Sequence, residues 1–268
     1  MPDLSLAGGM PSELSPWLLI LLAAAFLGGF VDSIVGGGGL IQVPVLFSFF
    51  PEAAPAILIG TNKLVSAFGT SAAAVQYVRR IRFDWSTVIL ASIAALLSAF
   101  LGAWTVTHIP ARFMRGLVPF VLLGVAVYML RRREFGLEPA LDQTVGWKQR
   151  WMGAVIGGAV GFYDGFFGPG SGSFLMFGFV RCFGLNFLGA SAPAKVVNVA
   201  CNLAAISWFA WSGNMFLGIG LAMGLFNIFG SVVGSRLALK NGAGFIRRIF
   251  LVVVGALILK TGYDAFTR

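Results

Sequence analysis

The chain has 268 residues, 58% of them hydrophobic and only 11% charged, with a mean hydropathy of +0.88. Soluble domains carry about 25% charged residues, so an ordinary soluble protein is excluded and a membrane protein is indicated. The net charge is +9, but the cations sit between apolar runs, as the positive-inside rule predicts, and no polar segment is long enough to form a nucleic-acid-binding face.

Ten apolar segments follow in order: 17–35, 40–50, 56–79, 85–107, 112–131, 150–167, 172–183, 189–211, 215–238 and 245–263. The first has Asp3 and Glu13 before it and no basic residue. A cleaved signal peptide needs a positive n-region, so the segment is expected to stay as a membrane helix. Segments near 20 residues can cross a hydrocarbon core of about 30 Å. The second and seventh are about a dozen residues long and predict short broken or re-entrant helices.

Each short segment follows a glycine-rich break. The first is Gly29-Phe30-Val31-Asp32-Ser33-Ile34-Val35-Gly36-Gly37-Gly38-Gly39; the second is Gly161-Phe162-Tyr163-Asp164-Gly165-Phe166-Phe167-Gly168-Pro169-Gly170-Ser171. Interrupted segments at matching places in two halves point to a transporter's binding site. The halves match at a constant offset of 132 residues, which pairs Phe30 with Phe162, Asp32 with Asp164, Gly36 with Gly168, Gly38 with Gly170, Lys63 with Lys195, Gly102 with Gly234 and Arg115 with Arg247. Bias toward Gly and Phe does not account for the Asp and Lys pairs. The chain therefore reads as two repeats, 1–131 and 150–268, joined by a polar linker at 132–149.

Charge gives their orientation. Arg79, Arg80 and Arg82 mark the loop after the third segment as cytoplasmic, but the equivalent loop, 211–214, carries no charge. Arg131, Arg132, Arg133, Lys148 and Arg150 place the linker in the cytoplasm; Arg236, Lys240, Arg247 and Arg248 do the same for the loop 239–244. Basic loops at non-equivalent places predict inverted repeats, each with an odd number of crossings. The fold class is then an all-α polytopic membrane protein with about eight to ten helices and both termini away from the cytoplasm. Whether the short segments cross or re-enter stays open.

Inside a bilayer, irregular backbone survives only within protein or beside water. The breaks place N–H donors where short helices start near Leu40 and Ser173, an arrangement that suits an anion. The candidate binding set from the first half is Asp32, Gly36, Gly37, Gly38, Gly39, Asn62 and Lys63. From the second half it is Asp164, Gly168, Gly170, Ser171, Ser173, Lys195, Asn198 and Asn202. Ionisable residues at membrane depth are functional candidates by default. The two acids and two lysines either pair with one another, leaving helix termini to hold the anion, or the lysines bind it directly. Polar stripes run from Lys63 through Ser66 and Thr70, and from Lys195 through Asn198 and Asn202, each on one helix face. Gly28 and Gly29 are assigned to helix packing, and Trp85, Trp147 and Trp151 to interfacial anchoring. Cys182, Cys201 and His108 give no metal set, and no cofactor is expected.

The two breaks, with Pro44, Thr61-Asn62-Lys63 and Ala194-Lys195-Val196-Val197-Asn198, resemble the TauE/SafE sulfite-exporter family, most nearly its YfcA-like members, from about Leu22 to Ala265. The resemblance implies a multi-pass transporter, an exporter of small anions such as sulfite or sulfoacetate, in a bacterial inner membrane. A channel sharing the site, or a membrane-embedded enzyme, are the rival readings. No Gly-x-x-x-x-Gly-Lys-Ser/Thr run is present, so the energy is expected from a gradient.

Overall fold

The computed structural model describes residues 16–114, 120, 124 and 146–267; the fifth apolar segment beyond Met114 and most of the linker lie outside the described residues. Among them, eight helices follow one another. They are α1 (Pro16–Val35), α2 (Gly39–Phe49), α3 (Pro55–Val78), α4 (Trp85–Thr107), α5 (Trp147–Phe166), α6 (Ser171–Phe183), α7 (Phe187–Trp211) and α8 (Leu217–Thr267). The fold is all-α, as expected. Four helices are long and apolar enough to span a membrane: α1, α4, α7 and the Leu217–Gly242 part of α8.

The connection expected at 239–244 is reduced to one residue: two helices meet at Gly242, which leaves helical geometry (φ 74°, ψ −169°). Glycine can adopt that φ without a Cβ clash. α5 starts at Trp147, where the Gln149 side chain accepts from the Gly146 N–H.

Local chemistry sets the other helix ends. Asp84 caps α4 by accepting from the Thr87 N–H at 2.9 Å, and Asn186 caps α7 by accepting from the Gly189 N–H at 2.7 Å. Pro55 opens α3 at its first turn, where a missing N–H costs nothing. Trp85, Trp147 and Trp151 are exposed near helix starts.

Each helix start of the first half recurs 132 residues later to within one residue, from α1 and α5 through to α4 and α8. Packing exchanges partners in the same way. α8 lies on α1 and α3, and α4 lies on α5 and α7. Small residues make these contacts close, as in membrane helix pairs. Gly153, Gly157, Gly161 and Gly165 of α5 lie along Thr87, Ala91, Ala95 and Ala99 of α4, in parallel. On the other side, Asn227 donates to the Ala25 carbonyl and Ser231 to that of Gly29, so α1 and α8 are also parallel. Gly102 meets the Phe162 carbonyl just as its counterpart Gly234 meets that of Phe30. At the centre, α3 and α7 run antiparallel: Gly60 packs on Phe209, while Thr70 reaches Asn198.

Candidate functional site

The two glycine breaks meet at the centre of this arrangement. In the first, Gly36 takes φ +81°, and its counterpart Gly168 takes +97°; both values favour glycine. Gly36 packs directly on Gly172, and the Ser173 N–H donates to the Gly36 carbonyl at 3.2 Å. The Ser173 hydroxyl donates to the Val35 carbonyl. Tyr77 of α3 and Tyr163 of α5 brace the breaks by donating to the Ser33 (2.7 Å) and Pro169 (2.6 Å) carbonyls. The two breaks thus touch one another through backbone. Two residues with no Cβ let the chains approach that far.

The buried charges pair between halves. Lys63 Nζ of α3 lies 2.7 Å from Asp164 Oδ2 of α5, and Lys195 Nζ of α7 lies 2.7 Å from Asp32 Oδ2 of α1. Both lysines and Asp164 have at most 3% of their side chains exposed; Asp32 has 15%. Lys195 also donates to the Asp32 carbonyl, at the end of α1. Asp32 Oδ2 accepts from the Thr70 hydroxyl at 3.2 Å, and Asp164 Oδ1 from that of Ser171. Asn198 bonds Ser171 at 3.3 Å, and Asn202 reaches Asn198 at 3.5 Å. Each aspartate therefore has a lysine and a hydroxyl. This satisfaction is what permits such groups inside an apolar bundle.

A small polar cavity lies beside the pairs. Its walls come from α1, α3, α5 and α7 and from both breaks: Asp32, Gly36, Gly39, Asn62, Lys63 and Ser66 on one side, Asp164, Gly168, Gly170, Ser171, Asn198 and Asn202 on the other. Its volume of about 10 Å³ holds roughly one water molecule.

Of the residues singled out in the sequence, Gly37, Gly38, Ser173 and Lys195 do not line this space. Gly38 backs onto the Gly28 carbonyl and the Asp32 Cβ, so it packs between α1 and α2; Gly37 is loosely surrounded. Gly38 also differs from its counterpart: its φ is −57°, against +84° for Gly170. Sequence reading missed Gln42 as a site-supporting group. It is buried in α2, accepts from the Asn62 amide at 2.7 Å and reaches the Ala25 carbonyl. A lone amide in an eleven-residue apolar helix is the signal that could have found it. The stripe Asn227, Ser231 and Ser235 on α8, buried against α1, was equally legible from its four-residue spacing. His108 stacks on Trp104, exposed and apart from the cavity walls. Among the described residues there is no His/Cys/Asp/Glu cluster that could hold a metal ion.

The comparisons with known proteins place the chain in a family. The family model "Sulfite exporter TauE/SafE" covers residues 21–261. The chain belongs to the TauE/SafE family. It is 36% identical over 247 residues to the probable membrane transporter protein ORF9 of a Sinorhizobium species, spanning 91% of each chain. It is 33% identical over 252 residues to the probable membrane transporter protein YfcA of Escherichia coli K12, covering 94% of this chain and 92% of that protein. A probable membrane transporter protein of Haemophilus influenzae is 31% identical over 247 residues. No solved structure matches. This TauE/SafE member is thus a multi-pass membrane protein, in line with relatives named as probable membrane transporters.

Proposed function

We propose that this protein is a secondary transporter of small anions, an exporter of sulfite or an organosulfur anion such as sulfoacetate, resident in a bacterial inner membrane. The anion binds in the central cavity between two inverted repeats, 1–131 and 150–268. One observation carries the reading: Lys63 reaches, from the opposite half to its partner Asp164, a cavity whose other walls are Asp32, hydroxyls, amides and glycine backbone, with Lys195 behind it on Asp32. With both carboxylates engaged by lysines, the ammonium, hydroxyl and amide donors that remain suit an oxyanion. The backbone N–H of Gly170, which lines the cavity, has no acceptor among the described residues and adds a donor there. The family name supplies the substrate class.

The antiparallel run of the equivalent helices α3 and α7 supports inversion of the repeats. A cavity sized for one water supports alternating access over a channel, because it is too small in this conformation to hold an anion and has to widen to admit one. The Ser171 hydroxyl that donates to Asp164 at the cavity is matched by a carboxylate already bound to Lys63, and relatives named as probable membrane transporters favour transport over an enzyme reading. The test is uptake into proteoliposomes of sulfite, thiosulfate, sulfoacetate, sulfate and chloride. Saturable uptake of a sulfur oxyanion, with little of chloride, is the expected result; no uptake of any of them overturns the reading.

A further inference from the structure

We infer that one proton accompanies each negative charge bound, so that transport is electroneutral and net export follows the anion's own gradient, and that Asp32 carries the first of these protons. The inference rests on the anion-transport reading above.

Charge at the centre is already balanced. Lys63 pairs with Asp164 and Lys195 with Asp32, so the four buried groups sum to zero before any substrate arrives. An anion enclosed there gives the closed site a net negative charge, at a depth where an uncompensated charge is strongly disfavoured. The helix ends do not supply the missing positive charge. Each break holds the positive start of a short helix and also the negative end of the long helix before it: α2 follows α1 at the first break, and α6 follows α5 at the second. These opposed partial charges largely cancel. Lys195 itself is drawn to that negative end, since it donates to the Asp32 carbonyl.

The compensating charge has to enter with the anion, and the site offers a place for it. Lys195 and Thr70 both bond Asp32 through Oδ2, while Oδ1 takes no hydrogen bond among the described residues. Asp32 also lines the cavity and is the more accessible of the two acids, 15% against 2%. The step balances simply. A proton from the side of entry bonds to Asp32 Oδ1, the carboxylate becomes a neutral acid, and the anion in the cavity beside it takes over the negative charge that balances the two lysines. No other bond forms or breaks, and release on the far side reverses both events. A dianion requires a second proton, for which Asp164 is the remaining carboxylate.

The neighbouring titratable groups do not compete for this part. From α3, Lys63 and Tyr77 approach, but Lys63 is held by Asp164, and the Tyr77 hydroxyl donates to Ser33. α5 brings Asp164 and Tyr163, the latter donating to Pro169. α7 brings Lys195 and the buried Cys201. α2 and α6 bring Gln42, Ser171 and Ser173, and α8 turns Asn227, Ser231 and Ser235 toward α1, none of which titrates.

The experiment uses the full-length protein in proteoliposomes, with methanesulfonate as a one-charge probe and sulfoacetate as a two-charge probe. Lumenal pH and transported current are recorded together with uptake. Uptake accompanied by lumenal acidification and no net current is the expected result, with twice as many protons per sulfoacetate as per methanesulfonate. Uptake that carries current and leaves lumenal pH unchanged overturns the inference and leaves the transport reading standing. Absence of uptake of both probes and of the wider anion panel overturns both. Proton release or uptake on methanesulfonate binding to purified protein, read by calorimetry in buffers of different ionisation enthalpy, gives a second count: one proton in the wild type and none in Asp32→Asn. A wild-type count of zero also overturns it, whether or not the variant folds.

Discussion

Lys63 of the first half lies 2.7 Å from Asp164 of the second, and not beside the Asp32 of its own half. Its counterpart pair, Lys195 and Asp32, crosses in the opposite direction at the same distance. The two halves are therefore tied together at the very groups that line or flank the candidate site. Moving one half against the other at this point strains or breaks an ion pair.

Removing one partner of such a pair leaves an unpaired buried charge, at a cost of about 3–5 kcal/mol, whereas replacing both by apolar residues is often neutral. Lys63→Met is accordingly expected to lower the melting temperature of the purified protein sharply. The double variant Lys63→Met with Asp164→Leu is expected to recover most of the stability and none of the transport. Recovery of both by the double variant would show that the pair is purely structural.

The glycines should separate by position. Gly36→Ala places a methyl about 2.3 Å from the Gly172 backbone and at a φ of +81°, so it is expected to destabilise strongly. Gly37→Ala meets nothing closer than 3.5 Å and is expected to be close to neutral. Gly28→Val and Gly38→Val both strike packing contacts between α1 and α2, so each should lower stability. Thermal melting of the four variants in one detergent checks the ranking.

Topology follows from the antiparallel run of α3 and α7. The loop after α3, around Arg82, and the turn after α7, around Trp211, fall at opposite ends of the bundle. In a background lacking Cys182 and Cys201, a membrane-impermeant thiol reagent added to cells is expected to label Trp211→Cys and not Arg82→Cys. Both positions are exposed, so access alone does not separate them. The reverse pattern, or equal labelling, would contradict the inverted arrangement.

A smaller pH effect belongs to the α4 cap. The Thr87 hydroxyl donated to Asp84, with the Thr87 N–H and the charge of Arg150, holds that carboxyl below the usual carboxylate range despite partial desolvation. A depressed pKa stabilises the folded state above the unfolded value, and that contribution is lost as pH falls through the folded value. Asp84→Ala should therefore reduce stability at neutral pH by about 0.5–2 kcal/mol and have little effect well below pH 3. Melting curves of both proteins across that range decide it.

Much of the fold was legible because the apolar runs mark the helices to within a few residues. Asp and Lys recurring at one offset, beside the breaks, pointed to the buried charges. What escaped was partner choice. Lys63 is 31 residues from Asp32 and 101 from Asp164, and no local rule selects the distant one. The exchange of partners between halves makes that selection, and it depends on α8 packing on α1 rather than on its own half. The break at Gly242 falls inside the expected connection 239–244; its shortness escaped, because a glycine inside a basic, polar stretch reads as a loop as readily as a bend. Gly36 and Gly38 sit two residues apart in a run of four glycines, so sequence could not say which takes the positive φ and which packs on Gly28.

The central claim is that a small anion occupies the cavity between the two ion pairs. Ser66 lines that cavity and has no part in either pair. Ser66→Leu adds apolar volume where only about 10 Å³ is free and leaves all four charges in place. The direct measurement is saturable uptake of labelled sulfite and sulfoacetate into proteoliposomes bearing the wild type or Ser66→Leu, at matched protein content and matched melting temperature. The account predicts saturable uptake of at least one of these by the wild type and loss of at least tenfold in the variant. Unchanged uptake in Ser66→Leu would contradict it and move the anion path elsewhere in the bundle.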